Sequence, residues 1–361
     1  MAQGVPPITH RQLQAGPLSV HIAEAGDGPL VLLLHGFPES WYSWRHQLAA
    51  LAAAGYHAVA PDQRGYCGTS APADVAEYTM LHLTGDVIAL MDALGAERAV
   101  VAGHDWGAPV AWHAALFRPD RVRGVIGLST PYRPRGSSTP IAALRRHFGD
   151  GFYIVYFQQQ GVADAELGRD PGVTFRTILA GLSGETAAMP LIPPGHGLLD
   201  VAAKPATLPP WLTEHDIDAY VTQYARAGFT GPLNWYRNID RNWELTAPWQ
   251  HALIDVPALF IAGDRDPNLR TISPAGIATF LPKLTKSLMS QRGSAWSVAT
   301  GSGRPARRRR NSRCAMEYAF SRTCSPGASS SCEAARSSLH RAPNSGVPSL
   351  TVRAASRSAQ K

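Results

Sequence analysis

Apolar and polar positions divide this chain into two regimes, with a seam near Met289. Before the seam, short apolar runs alternate with longer stretches of helical spacing. Leu18, Val20 and Ile22 alternate with Ser19, His21 and Ala23, the period of a half-exposed strand. Residues 30–34 are continuously apolar, which suits a strand covered on both faces. Residues 41–54 have helical spacing and stop at Gly55. A strand is expected at 57–60, an amphipathic helix at 81–94 closed by Gly95, strands at 99–102 and 122–128, and between those two a helix from Ala108. Strands alternating with helices predict an α/β fold with a doubly wound, mostly parallel sheet.

The rhythm changes after Pro131. Residues 134–248 read as mainly helical with Pro- and Gly-rich breaks, and they are rich in Tyr and Trp. An aromatic helical insertion between sheet strands has the pattern of a lid over a site, although a second helical core has the same pattern. The strand pattern returns at 256–263, followed by a helix expected at 272–281 and a strand at 284–289. The expected domains are therefore 1–133 as the first part of the core, 134–248 as the lid, 249–289 as the second part of the core, and 290–361 as a tail. The tail sustains no apolar period and contains the runs Arg307-Arg308-Arg309-Arg310 and Ser329-Ser330-Ser331, so disorder is expected there.

Charge sharpens the seam. The net charge is +7, but the segment from Ser290 onward carries twelve Arg and one Lys against two Glu. The tail is therefore strongly basic and the body mildly acidic. Three of the four cysteines (Cys314, Cys324, Cys332, but not Cys67) also lie in the tail, with no zinc spacing and no disulfide framework. No apolar run approaches the ~20 residues needed to span a bilayer. Residues 1–11 lack the basic-then-apolar order of a signal peptide, so a cytoplasmic protein without membrane partners is expected.

The candidate chemistry begins at Gly103-His104-Asp105-Trp106-Gly107, where an apolar run meets a helical pattern. This is the outline of a nucleophile elbow, a tight strand-to-helix turn with glycines where a Cβ would collide. Its centre is Asp105 rather than serine, so the attacking group would be a carboxylate that esterifies an electrophilic carbon. A glycine-flanked turn with a capping aspartate is the plainer reading of the same residues.

Further stretches join it: His35-Gly36-Phe37-Pro38, Asp62-Gln63-Arg64-Gly65, Tyr153 to Gly161 with Tyr156-Phe157-Gln158, Gly231-Pro232-Leu233-Asn234-Trp235-Tyr236-Arg237-Asn238, and Asp264-Arg265-Asp266. With these, residues 10–289 resemble the epoxide hydrolases of the α/β-hydrolase fold. The His-Gly-x-Pro stretch and the Asp elbow also fit haloalkane dehalogenases; the two tyrosine-bearing lid segments together are the specific part of the resemblance.

The resemblance implies roles. Asp105 is the nucleophile that forms a hydroxyalkyl ester. Tyr153 and Tyr236 donate to the epoxide oxygen, with Tyr156 a competitor for the first role. A phenol of pKa ~10 stays protonated at neutral pH yet can donate to a developing alkoxide. The backbone N–H groups of Phe37 and Trp106 form the oxyanion hole. His35 supports the turn, and His104 is at most a supporting group beside the nucleophile. Asp266 orients a catalytic histidine, or is merely a loop cap. No cofactor and no metal is expected; the partners are a small-molecule epoxide and water.

One family feature is missing. The general-base histidine should follow the acid by some tens of residues, on a Gly-His-Trp-like loop after the last strand. That window reads Ser290-Gln291-Arg292-Gly293-Ser294-Ala295-Trp296-Ser297-Val298, and the one histidine after Asp266 is His340, deep in the tail. The economical explanation is a change of reading frame near Met289. The alternative is a genuine basic extension that binds nucleic acid or an anionic surface. The chain therefore reads as an epoxide hydrolase by lineage with impaired turnover. A dehalogenase-like hydrolase or a catalytically dead, hydrolase-like binding protein are the alternatives. Oligomeric state is not legible.

Overall fold

Every residue of Leu30–Leu34 is buried, because this strand, β3, is covered on both faces. The computed structural model describes residues 6–181, 191–204 and 206–290. The window 291–298, His340 and the rest of the basic tail lie outside the described residues.

Eight strands form one sheet: β1 (Thr9–Ala15), β2 (Leu18–Ala25), β3, β4 (His57–Pro61), β5 (Ala99–His104), β6 (Val122–Leu128), β7 (Ala258–Gly263) and β8 (Leu284–Ser290). Their order is β1-β2-β4-β3-β5-β6-β7-β8. The pairs β1/β2 and β2/β4 are antiparallel, and all the others are parallel. The doubly wound, mostly parallel sheet is thus observed.

Helices cover both faces. On one side Trp44 joins Leu48 and Leu51 of α1 (Arg45–Ala53) in packing on Val31, Leu33, Val100 and Ala102. On the other, α2 (Met80–Ala93) and α3 (Gly107–Phe117) bury Leu83, Val87, Val110 and Ala114 with Leu32, Leu34 and Val101. Each buried Leu or Val contributes roughly 1.5–3 kcal/mol of transfer free energy.

Between β6 and β7 the chain runs through α4 (Pro140–Phe148), α5 (Tyr153–Tyr156), α6 (Val162–Arg169), α7 (Pro171–Gly181), α8 (Leu198–Val201), α9 (Glu214–Ala227), α10 (Thr230–Arg237) and α11 (Ile239–Leu245). Polar bonds dock these helices on the core. Trp235 Nε1 donates to the Arg64 carbonyl at 3.0 Å, Tyr224 donates to the Glu39 carbonyl at 2.7 Å, and Arg45 pairs with Asp216 at 2.8 Å.

Two local expectations need correction. β1 was not expected, because Thr-His-Arg-Gln-Leu-Gln-Ala shows no apolar alternation and most of this edge strand is exposed. The helix expected at 272–281 is reduced to the single turn Ile277–Phe280. Pro274 has no N–H to donate, and Gly276 is left-handed at φ 79°, so a continuous helix cannot pass.

Candidate active site

β3 and β5 lie side by side, but the chain leaves them in opposite directions. After β3 it passes to β4 on one side; after β5 it passes to β6 on the other. A crevice opens at such a switch point, at the carboxyl ends of the strands. His35 to Pro38 follow β3, and Asp105 follows β5, so the sheet topology brings the two motifs together.

Asp105 occupies the turn between β5 and α3 with φ 49°, a left-handed conformation unusual for a residue with a Cβ. Such strain persists only where surrounding structure enforces it, and it often accompanies function. Here neighbouring backbone enforces it. A Cβ on Gly103 would run into the Gly107 carbonyl, and one on Gly107 into the Leu34 and His35 carbonyls. One carboxylate oxygen of Asp105, Oδ1, accepts from the Phe37 N–H at 2.8 Å. The Trp106 N–H bonds to the same carboxylate. These are the two main-chain donors expected from the sequence. Burial raises the Asp105 pKa to about 6, against the pull of His104 and of the Phe37 and Trp106 N–H groups. Asp105 is therefore mostly ionised at neutral pH.

His35 proves to be a support for the turn. Its Nδ1 donates to the Gly36 carbonyl at 2.9 Å, and its Nε2 accepts from the Gln63 N–H at 3.1 Å. Those two bonds define a neutral ring, and burial lowers its pKa accordingly. The Asp62-Gln63-Arg64-Gly65 stretch thereby braces the loop that carries the Phe37 N–H.

His104 has a partner that sequence reasoning missed. Its Nδ1 lies 2.6 Å from Glu39 Oε1, and both residues are buried. Burial disfavours the imidazolium, yet the Glu39 carboxylate overcomes this and raises the pKa of His104 to about 9; Asp105 and Asp266 add to the effect. Burial likewise opposes charge on Glu39, but His104 holds its carboxyl below the ordinary value. Glu39 directly follows the His-Gly-Phe-Pro stretch, and a carboxylate at a turn otherwise lined by apolar side chains was the available signal.

Tyr153 and Tyr236, on α5 and α10, converge on one another with ring centroids 6.2 Å apart at 75°. Tyr236 also meets Phe37 at 5.3 Å, Trp106 at 5.1 Å and Phe157 at 5.0 Å, all edge to face. Burial, followed by the charge of Asp105, raises the pKa of both phenols, so both stay protonated. Tyr156 is engaged elsewhere: its hydroxyl donates to Glu166 Oε2 at 2.8 Å. Of the two tyrosines on α5, then, Tyr153 is the one whose ring meets Tyr236.

Asp266 lies just beyond β7 and is buried. Its Oδ1 accepts from the Asn268 N–H at 2.9 Å, and Asn268 in turn donates to Ser129 Oγ at 3.0 Å. The loop-cap reading thus holds for one of its oxygens, and its charge also reaches His104. Among the described residues no group of three His, Cys, Asp or Glu side chains is arranged to hold a metal ion. No helix among them is long and apolar enough to cross a membrane.

Comparison with known proteins extends this picture. The family profile described as alpha/beta hydrolase fold matches residues 29–288. Epoxide hydrolase A of Mycobacterium tuberculosis is 50% identical over 268 residues, spanning 72% of this chain and 83% of that protein. Epoxide hydrolase 3 of Siraitia grosvenorii is 47% identical over 261 residues, spanning 72% of this chain and 81% of that protein. Among solved structures, epoxide hydrolase A from Mycobacterium thermoresistibile superposes with a TM-score of 0.81 at 43% identity, covering 87% of this chain and 98% of the other. The chain belongs to the epoxide hydrolase family of the α/β-hydrolase fold.

Proposed function

We propose that this protein opens an epoxide through an ester on Asp105, that residues 134–248 act as the lid, and that the protein works in the cytoplasm. The observation that carries the reading is the Asp105 carboxylate, bonded on Oδ1 to the Phe37 N–H at 2.8 Å beneath a cluster that contains Tyr153 and Tyr236. The free lobe of the carboxylate attacks a ring carbon. The carbon–oxygen bond breaks, and the departing oxygen takes a proton from a tyrosine. The product is a hydroxyalkyl ester.

Release requires water to attack the ester carbonyl. The Phe37 and Trp106 N–H groups stabilise the resulting oxyanion; losing one such donor costs ~3 kcal/mol of barrier. Asp266 is the acid that would orient a base. No histidine lies between Asp266 and His340, so turnover is impaired relative to ester formation. Support for a frame change comes from the family match, which ends at residue 288, where the composition changes. Reading the nucleotide sequence around codon 289 in all three frames tests it: a Gly-His-Trp-like loop in another frame supports the idea, and its absence overturns it.

The catalytic reading is tested by incubating the protein with styrene oxide and measuring intact mass. A persistent adduct on Asp105, absent in Asp105→Asn, is expected. An adduct elsewhere, or none, would overturn it.

A further inference from the structure

We infer that Gln158 is a positioning residue that sets the spacing of the two lid tyrosines. The inference rests on the proposed roles of Tyr153 and Tyr236 and adds a residue to them. Gln158 sits just past α5 and is half-buried. Its single side-chain amide donates twice: to the carbonyl of Ile154 at 2.8 Å and to the carbonyl of Tyr236 at 3.0 Å. Ile154 follows Tyr153 on α5, and Tyr236 is itself the second tyrosine. One amide thus joins the backbone of the two helices that carry the two donors, across a sequence gap of 78 residues.

The arrangement matters because α5 has little helix of its own to fix its geometry. It is a single turn of four residues, and a helix that short gains little from its internal bonds. Its companion α10 is anchored independently. Trp235 donates to the Arg64 carbonyl at 3.0 Å, Asn238 donates to the Val75 carbonyl at 2.7 Å, and Arg237 pairs with Asp164 of α6. Gln158 therefore ties the short element to the independently anchored one. A second link between the same segments, Arg237 Nη2 to the Gln159 carbonyl, is long at 3.4 Å and exposed.

The amide chemistry is specific to the task. Both acceptors are carbonyl oxygens, so the bridging group must donate twice, as the two N–H bonds of the Gln158 amide nitrogen do. A carboxylate of the same length would face two carbonyls with no donor. A thioether would fill the space and make neither bond. Both donors must reach the same epoxide oxygen, and a misplacement of 1 Å can cost on the order of 100-fold in rate.

The test uses the full chain with styrene oxide and follows the rate of adduct formation on Asp105 by intact mass. Rates are normalised to the fraction of protein that finally labels. Gln158→Glu and Gln158→Met are each expected to lower the maximal rate roughly tenfold or more, with the half-saturating epoxide concentration changed far less. In a Tyr153→Phe background, where one donor is already gone, the same substitutions are expected to cost much less, because the spacing they disturb no longer joins two donors. Unchanged rates in both variants, or equal losses with and without Tyr153, would overturn the inference. A variant that lowers only the labelled fraction or the melting temperature, with the normalised rate intact, would also overturn it, because the role would then be structural alone. If the unmodified chain forms no Asp105 adduct, the parent reading fails first, and the two failures are told apart by that control.

Discussion

His104 and Glu39 form a buried ion pair, Nδ1 to Oε1 at 2.6 Å, in the position immediately preceding Asp105. The pair places a positive charge beside a carboxylate that burial alone would tend to neutralise. Removing one partner leaves the other buried and uncompensated, a change that typically costs about 3–5 kcal/mol. Glu39→Gln is expected to lower stability at pH 7 by an amount in that range, read by urea unfolding. The folded pKa of His104 is raised to about 9 from an ordinary 6.5. The stabilisation linked to its proton is thus complete below 6.5 and lost as pH rises through about 9. The penalty of Glu39→Gln should shrink accordingly between pH 7 and 10. A constant penalty over that range would show that His104 is not the charged partner.

In the proposed mechanism Asp105 must be ionised to attack, and its pKa is raised to about 6. Adduct formation should therefore slow as pH falls through 6, by about tenfold per unit well below it, and level off above 7. A rate independent of pH between 4.5 and 7.5 would remove the ionised Asp105 from the attacking role.

Tyr153 and Tyr236, the proposed proton donors, are expected to act together. Tyr153→Phe and Tyr236→Phe should each slow adduct formation by roughly 100-fold, the scale of a lost general acid. Tyr156→Phe loses only its bond to Glu166. It should leave the rate within about twofold and cost no more than about 1.5 kcal/mol of stability. A large rate loss in Tyr156→Phe with none in Tyr153→Phe would reverse their assignment.

The base that the proposed mechanism lacks should be replaceable. Exchanging residues 290–361 for the corresponding C-terminal segment of Mycobacterium tuberculosis epoxide hydrolase A is expected to convert a stoichiometric adduct into sustained diol formation. Many turnovers by the unexchanged chain would show that it already has a base.

The core was legible from residues 18–128 because strands covered on both faces must be apolar and their helices amphipathic. Leu30–Leu34 and Ala99–His104 meet the first demand and Met80–Ala93 meets the second, each within a short window. β1 was not legible, since an exposed edge strand puts no such demand on its side chains. The truncated helix at Ile277–Phe280 was partly legible, for Pro274 and Gly276 stand in plain view. The apolar spacing there is helical, but neither residue can be carried through a helix interior without cost.

The sequence alone supplied a carboxylate, Asp105, at the centre of the elbow motif, candidate tyrosines at 153 and 236, candidate main-chain donors at Phe37 and Trp106, and the lack of a histidine between Asp266 and His340. The first and last are matters of residue identity; the tyrosines and the donors come from the resemblance that short motifs carry. Tertiary structure alone decided the partnerships made at long range: Glu39 with His104 across 65 residues, Gln158 with Tyr236 across 78, and Tyr153 rather than Tyr156 turned toward the other tyrosine. A hydrogen bond depends on distance and direction between two atoms, and no local period carries that information until the sheet and its inserted helices bring the chain back on itself.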